Sequence, residues 1–133
     1  MGRVLGLLVL IASTRAGADS WTAADTALQL TAATVTLGDW SQTITIAREP
    51  LLIVETGPGT IGPGYPRTET NPILGAHPSA ERVDVYFASV IALHAGIAYL
   101  LPHPWRTIWQ IALIGLEGEC VLHNHAVGVQ FSF

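Results

Sequence analysis

VYFASVIALHAGIAYLLPHPW, residues 85–105, runs for twenty-one positions without Asp, Glu, Lys or Arg. As a helix rising ~1.5 Å per residue it reaches about 31 Å, close to the thickness of a bilayer's hydrocarbon core. A second apolar run follows at 105–116, and the two decide the expected fold: an antiparallel hairpin of apolar helices, closed at Pro102 and Pro104. Ser79 caps the first helix with Glu81 in its opening turn, so that helix is predicted over 80–101. The next is predicted from Trp105 to about His123. Tyr99, Trp105 and Trp109 gather at the turn, as aromatic residues do at a membrane–water interface. Ala92, Ala95 and Gly96 offer a small-residue face for close helix approach.

Upstream, residues 19–49 read as one long helix, capped by Asp19 or Ser20 and ended by Pro50. Its polar residues Asp25, Gln29, Thr36, Asp39 and Thr43 are spaced by 4, 7, 3 and 4, which puts them on one face. Residues 50–78 hold six of the eight prolines, with turn dipeptides at Pro58-Gly59 and Pro63-Gly64, and the stretch 57–67 is expected to lack regular structure. Glu55-Thr56-Gly57-Pro58 and Glu69-Thr70-Asn71-Pro72 read as one phrase written twice. At the N-terminus, Arg3, the apolar run VLGLLVLIA and Ala16-Gly17-Ala18 have the layout of a secretory signal, with cleavage expected after Ala18. The expected organisation is a signal peptide over 1–18, a single helical membrane domain over 19–133 and a short extended tail. The fold class is all-α.

Composition agrees with a membrane residence. Half of the 133 residues are hydrophobic and 12% are charged, against about 25% in an ordinary soluble domain. The six basic residues are all Arg, the formal net charge is −4, and no basic run could follow a phosphate backbone. The single Cys120 excludes an intrachain disulfide.

Polar residues in apolar helices are costly unless they meet partners or water, so each is a candidate for function. Asp39, His94 and Glu117 suggest a proton or ion path; internal contacts that fix helix packing are the competing reading. Glu119, Cys120, His123 and His125 share helical faces but lack the paired spacing of a zinc site, and no metal or other cofactor is expected. With the turn centred near His103, Asp84 and His123 fall level; a contact between them that fastens the open end of the hairpin is one expectation, and two solvated residues at separate helix ends is the competing reading. No GxSxG, HExxH or phosphate-loop pattern is present, so no enzyme is expected.

Asp39-Trp40-Ser41-Gln42-Thr43, followed by Glu69-Thr70-Asn71-Pro72-Ile73-Leu74-Gly75, resembles small uncharacterised bacterial and phage-associated membrane proteins. In those, a D-x-x-x-T helix precedes an E-x-NP-x-[LI]-G segment and an apolar hairpin. The resemblance implies a topology, with Asp39, Thr43, Glu69, Asn71 and Pro72 as its marked positions, and brings no established activity; the loop here is longer than its pattern.

The leading expectation is a non-enzymatic protein of a bacterial inner membrane, entering by the secretory route. It would serve as a structural or accessory partner in a homo-oligomer or with other membrane proteins, contacting lipid and no nucleic acid. The alternatives are a proton- or ion-handling membrane protein and an exported soluble helical protein.

Overall fold

The computed structural model describes residues 19–52, 55–62 and 64–131. The signal-like stretch 1–18 lies outside them. Three helices dominate: α1 (Ala23–Arg48), α2 (Ala80–Leu100) and α3 (His103–Ala126). The expected all-α class is observed in this mostly helical chain, with one addition in the loop.

Helix α1 starts four residues later than expected. Neither Asp19 nor Ser20 caps it; Thr22 does, through a capping box in which Thr22 Oγ1 accepts from Asp25 N and Asp25 Oδ2 accepts from Thr22 N. Ser79 caps α2 as expected, its Oγ accepting from Arg82 N, and Pro102 follows that helix's end. Helix α3 begins at His103, because Pro104 is tolerated within the first turn, and runs to Ala126, longer at both ends than expected.

The stretch 51–66 is where the structure overturns the expectation of irregular chain. Strand β1 (Leu51–Leu52) pairs antiparallel with β4 (Tyr65–Pro66), and β2 (Glu55–Gly57) with β3 (Thr60–Ile61). The result is a narrow ribbon turning at Pro58-Gly59, where Gly59 takes φ +75°. Two-stranded pairing leaves one edge of each strand open, so Pro66 needs no ladder donor there. Arg67 anchors the ribbon's base, with its N–H donating to Pro50 O and its guanidinium 3.1 Å from Glu49.

Helix α1 lies against both arms of the hairpin, most extensively against α3, while α2 and α3 touch each other least. The small-residue contacts fall elsewhere than expected. Ala92 and Gly96 are exposed, and a Cβ on Gly96 would meet nothing within 4 Å. At Gly38 a Cβ would lie 3.4 Å from Val121, and at Gly118 3.9 Å from Val35. The α1–α3 seam is therefore the close one.

Burial is inverted. Ile44, Leu74, Val83 and Phe87 form a compact apolar cluster at the loop end of the bundle. Among the described residues, eleven polar or charged side chains are buried against eight apolar ones. Leu30, Leu37, Leu93, Ile108, Ile111, Leu116 and Leu122 meanwhile face outward. The polar stripe of α1 points inward as the spacing predicts: Asp25, Thr36, Asp39 and Thr43 are buried and Gln29 half-buried.

Candidate functional site

The buried polar groups form two separate clusters. The one near the hairpin turn is built around Arg106. Its Nη1 donates to Asp25 Oδ2 at 2.9 Å, and both side chains are almost fully enclosed, at 2% and 1% exposure. Arg106 Nε also donates to Ala98 O and Nη2 to Leu101 O, so the guanidinium satisfies carbonyls in the last turn of α2. The Trp21 ring covers the guanidinium, with Cζ 5.0 Å from the ring centroid, and Trp21 in turn leans on Tyr99.

One turn along α3, Gln110 Nε2 donates to Asp25 O at 3.0 Å and to Gln29 Oε1 at 3.3 Å. Gln29 Nε2 stands 3.1 Å from His94 Nδ1, and His94 Nε2 3.3 Å from Trp109 O. With Gln29 donating, this network assigns the His94 proton to Nε2. The His94 and Trp109 rings stack with centroids 5.3 Å apart.

The second cluster sits toward the loop end. Asp39 Oδ1 accepts from Asn124 Nδ2 at 2.9 Å, and the Glu117 carboxyl lies beside that of Asp39. Glu117 is 9% exposed, and its Oε2 is buried without a hydrogen-bond partner. In front of Asp39 opens a cavity of about 440 Å³, lined by residues 69–73 of the loop together with Glu119, Cys120, His123 and Asn124 of α3.

The loop wall is held by its own hydrogen bonds. Glu69 Oε1 accepts from Asn71 N at 2.8 Å, Asn71 Oδ1 from Ile73 N at 2.9 Å, and Asn71 O from Leu74 N and Gly75 N. Arg82 Nη2 donates to Ile73 O, fastening this wall to α2. Leu74, 1% exposed, plugs the segment into the apolar cluster.

The positions marked in the sequence are thus divided. Asp39, Glu69, Asn71, Pro72 and His123 line one cavity, with Glu117 against Asp39. The two halves of the D-x-x-x-T and E-x-NP pattern, thirty residues apart, meet across it. Thr43 is buried one turn further along α1 and does not line the cavity.

His94 belongs to the Arg106 cluster, so the expected path through Asp39, His94 and Glu117 is not continuous. Ala32 and Thr36, buried on the same face of α1, separate the two clusters, and the Thr36 hydroxyl is turned back onto Ala32 O. The pairing expected for Asp84 and His123 is likewise not formed. Asp84 Oδ1 accepts from Trp40 Nε1 at 2.9 Å, while His123 stands at the cavity. The hairpin turn explains part of the error: His94 opposes Trp109, which centres the turn near residues 101–102 and lowers the register of α3 against α2.

Arg106, Gln110 and Asn124 were not marked as site residues, although each sits at a crossing of two helices. The signal for Arg106 is its cost: an arginine at the head of an apolar helix requires an anion, and Asp25 is the acidic residue at the matching end of α1. Glu119, Cys120 and His123 share the cavity wall, but no group of three His, Cys, Asp or Glu side chains among the described residues is placed to hold a metal ion. Compared with known proteins, the chain matches no family model, no curated relative and no solved structure.

Proposed function

We propose that this protein is a small helical integral membrane protein and acts as a non-enzymatic structural or accessory partner in a membrane assembly. The observation that carries the reading is the inverted burial: Asp25, Asp39, Arg106, Gln110 and Glu117 lie inside, while Leu30, Leu37, Leu93, Ile108, Ile111, Leu116 and Leu122 are exposed on the three helices. In water that arrangement would leave large apolar surface unpaid, whereas in lipid it is the ordinary one.

Helix α2 is the one helix among the described residues long and apolar enough to cross a bilayer by length and composition, and 22% of its most apolar window is buried. A core helix of a soluble protein would be mostly buried. Asp25 and Asp39 of α1 and Arg106 and Glu117 of α3 turn inward, with Arg48 and Glu119 exposed near the loop end, and the inward set supports their spanning as a unit with α2. The resemblance of the Asp39 and Glu69–Gly75 segments supports a bacterial or phage origin. The signal-like N-terminus supports entry by the secretory route into an inner membrane, as a homo-oligomer or with other membrane proteins.

Alkaline carbonate extraction followed by flotation tests this. The full chain is expected to stay with the vesicle fraction; recovery in the soluble fraction would overturn the reading in favour of an exported soluble bundle. With cleavage after Ala18 and three spans, the ribbon faces the cytoplasm, and a cysteine at Thr60 in a Cys120→Ser background is expected to resist an impermeant label added outside.

A second reading, a proton- or ion-handling protein, is favoured by the meeting of the Asp39 and Glu117 carboxyls inside the bundle. His94 drops out of it. Proteoliposomes loaded with a pH-sensitive dye decide: flux abolished by Asp39→Asn and Glu117→Gln supports it, and absence of flux removes it.

A further inference from the structure

We infer that Asp39 and Glu117 form a proton-operated latch: with a proton between their carboxyls the C-terminal tail, 127–131, is held across the α1–α3 seam, and loss of that proton releases it. Two carboxyls that hydrogen-bond each other need a proton between them, and these two do so inside the bundle, at 8% and 9% exposure. Ionising both would set two like charges together, with Glu117 Oε2 buried and without a donor.

Among the described residues no arginine is placed to balance that second charge. Arg106 is held by Asp25, Arg67 by Glu49 and Arg82 by Ile73 O, and Arg48 is exposed at the end of α1. Glu69 from the loop, with Glu119, Cys120 and His123 from α3, lines the cavity in which Asp39 stands. On α2, Asp84 is held by Trp40 Nε1. The cavity is also the route by which Asp39 exchanges a proton with the medium.

Asn124 ties the pair to the tail. Its Nδ2 donates to Asp39 Oδ1 at 2.9 Å, and its carbonyl accepts from Val129 N at 2.9 Å. Gly128, at φ +83°, turns the chain out of α3. The tail then buries Val129, offers Gln130 O to Thr45 Oγ1 at 2.9 Å and lays Phe131 at Gly38. Thr45 and Gly38 belong to α1 and Asn124 to α3, so the tail is anchored on both walls of the seam. The seam has little slack, since a Cβ on Gly38 would already lie 3.4 Å from Val121. Like charges inside it are relieved by parting α1 from α3, and a tail anchored on both is the contact that parting breaks.

The inference uses the carboxyl pair of the second reading above but not its path. A proton that only locks the seam carries no flux, so the flux assay decides that reading separately, as flotation decides the membrane role.

The test uses the purified full chain in mild detergent, with a nitroxide on Gln130→Cys in a Cys120→Ser background; the Gln130 side chain is exposed. Two quantities are read as pH rises: label mobility from the electron paramagnetic resonance spectrum, and the carbonyl stretch of protonated carboxylic acid from infrared difference spectra. The expected result is an ordered label at low pH that becomes mobile as the last of the acid band disappears. For one proton, the ratio of released to latched tail rises by up to about tenfold per pH unit. Asp39→Asn and Glu117→Gln each leave one carboxyl and no like-charge repulsion, and each is expected to keep the label ordered at every pH. His123→Gln combined with His125→Gln is expected to retain the transition, which separates the latch from the imidazoles beside the tail.

A label whose mobility does not change with pH would overturn the inference. So would a transition that survives Asp39→Asn, or one that vanishes with the two histidine changes. Where a variant fails to fold, the unsubstituted pair decides alone: a label and an acid band that titrate apart would disprove the latch.

Discussion

Asp25 and Arg106 join the N-terminus of one helix to the C-terminus of another through a single buried ion pair. Asp25 Oδ2 accepts from the backbone of Thr22 at the start of α1 and from Arg106 Nη1, while Arg106 reaches Ala98 O and Leu101 O at the end of α2. An anion near a helix N-terminus and a cation near a C-terminus are each the favourable placement for the helix dipole. Here they are the same pair.

Removing one member leaves the other charge buried and alone. Arg106→Gln is expected to destabilise by about 3–5 kcal/mol, read from chemical unfolding in mild detergent. Arg106→Met combined with Asp25→Asn is expected to lose less than the sum of the two single changes, because no uncompensated charge remains. Strict additivity would show that the pair contributes nothing as a pair.

Leu93 distinguishes lipid from water around the bundle. It lies on α2 at 65% exposure. In a bilayer, Leu93→Arg places a charge against hydrocarbon and is expected to cost about 2.5–3.5 kcal/mol of insertion free energy, visible as loss of the flotation fraction. In water the same exposed change would stay within about 0.5 kcal/mol.

Trp40 and Asp84 tie α1 to the first turns of α2. Trp40 Nε1 donates to Asp84 Oδ1, and its ring stacks on Phe87 with centroids 6.0 Å apart. A double-mutant cycle of Trp40→Phe and Asp84→Asn is expected to return a coupling of about 0.5–1.5 kcal/mol. His123→Ala is expected to change stability by less than about 0.5 kcal/mol. A larger effect of His123 would restore it as a structural contact.

Two glycines should respond in opposite directions. Gly96 lies within α2 with nothing within 4 Å of an added Cβ, so Gly96→Ala is expected to stabilise by about 0.5–1 kcal/mol. Gly38 faces Val121 and Phe131 across the α1–α3 seam at 3.4 and 3.7 Å. Gly38→Val adds two further carbons there and is expected to destabilise by about 1–3 kcal/mol through overpacking. Thermal unfolding of both variants in the same detergent checks the contrast.

What was legible in the sequence follows from the range over which each signal acts. Ser79, Glu81 and Pro102 act within one turn of α2, and both of its ends fell where they indicated. The spacing of Asp25, Gln29, Thr36, Asp39 and Thr43 is a property of one helix, and it gave the buried face of α1. Gly96 and Asp84 were misread because their partners are chosen by how helices lie against each other. A shift of the turn by about one residue is enough to exchange neighbours. The ribbon at 51–66 was missed for a different reason: strands of two and three residues leave no alternation to read, and proline statistics describe sheet interiors rather than open edges. At the cavity, the two segments carrying Asp39 and Glu69-Thr70-Asn71-Pro72 were marked separately; only the fold could show that they face each other.

Because α1 is the helix that touches both others, the order of synthesis leaves it waiting. The 81 positions between Asp25 and Arg106 take roughly 4–16 s to translate at 5–20 residues per second. Throughout that interval the carboxylates of Asp25 and Asp39 and the amides of Gln29 and Gln42 have none of the α3 groups that later enclose them. A helix with such a stripe is stable in hydrocarbon only once α3 exists. On the membrane reading proposed above, the nascent chain would hold α1 at a wet surface until the hairpin emerges, and the three helices would enter the bilayer as one event rather than in sequence.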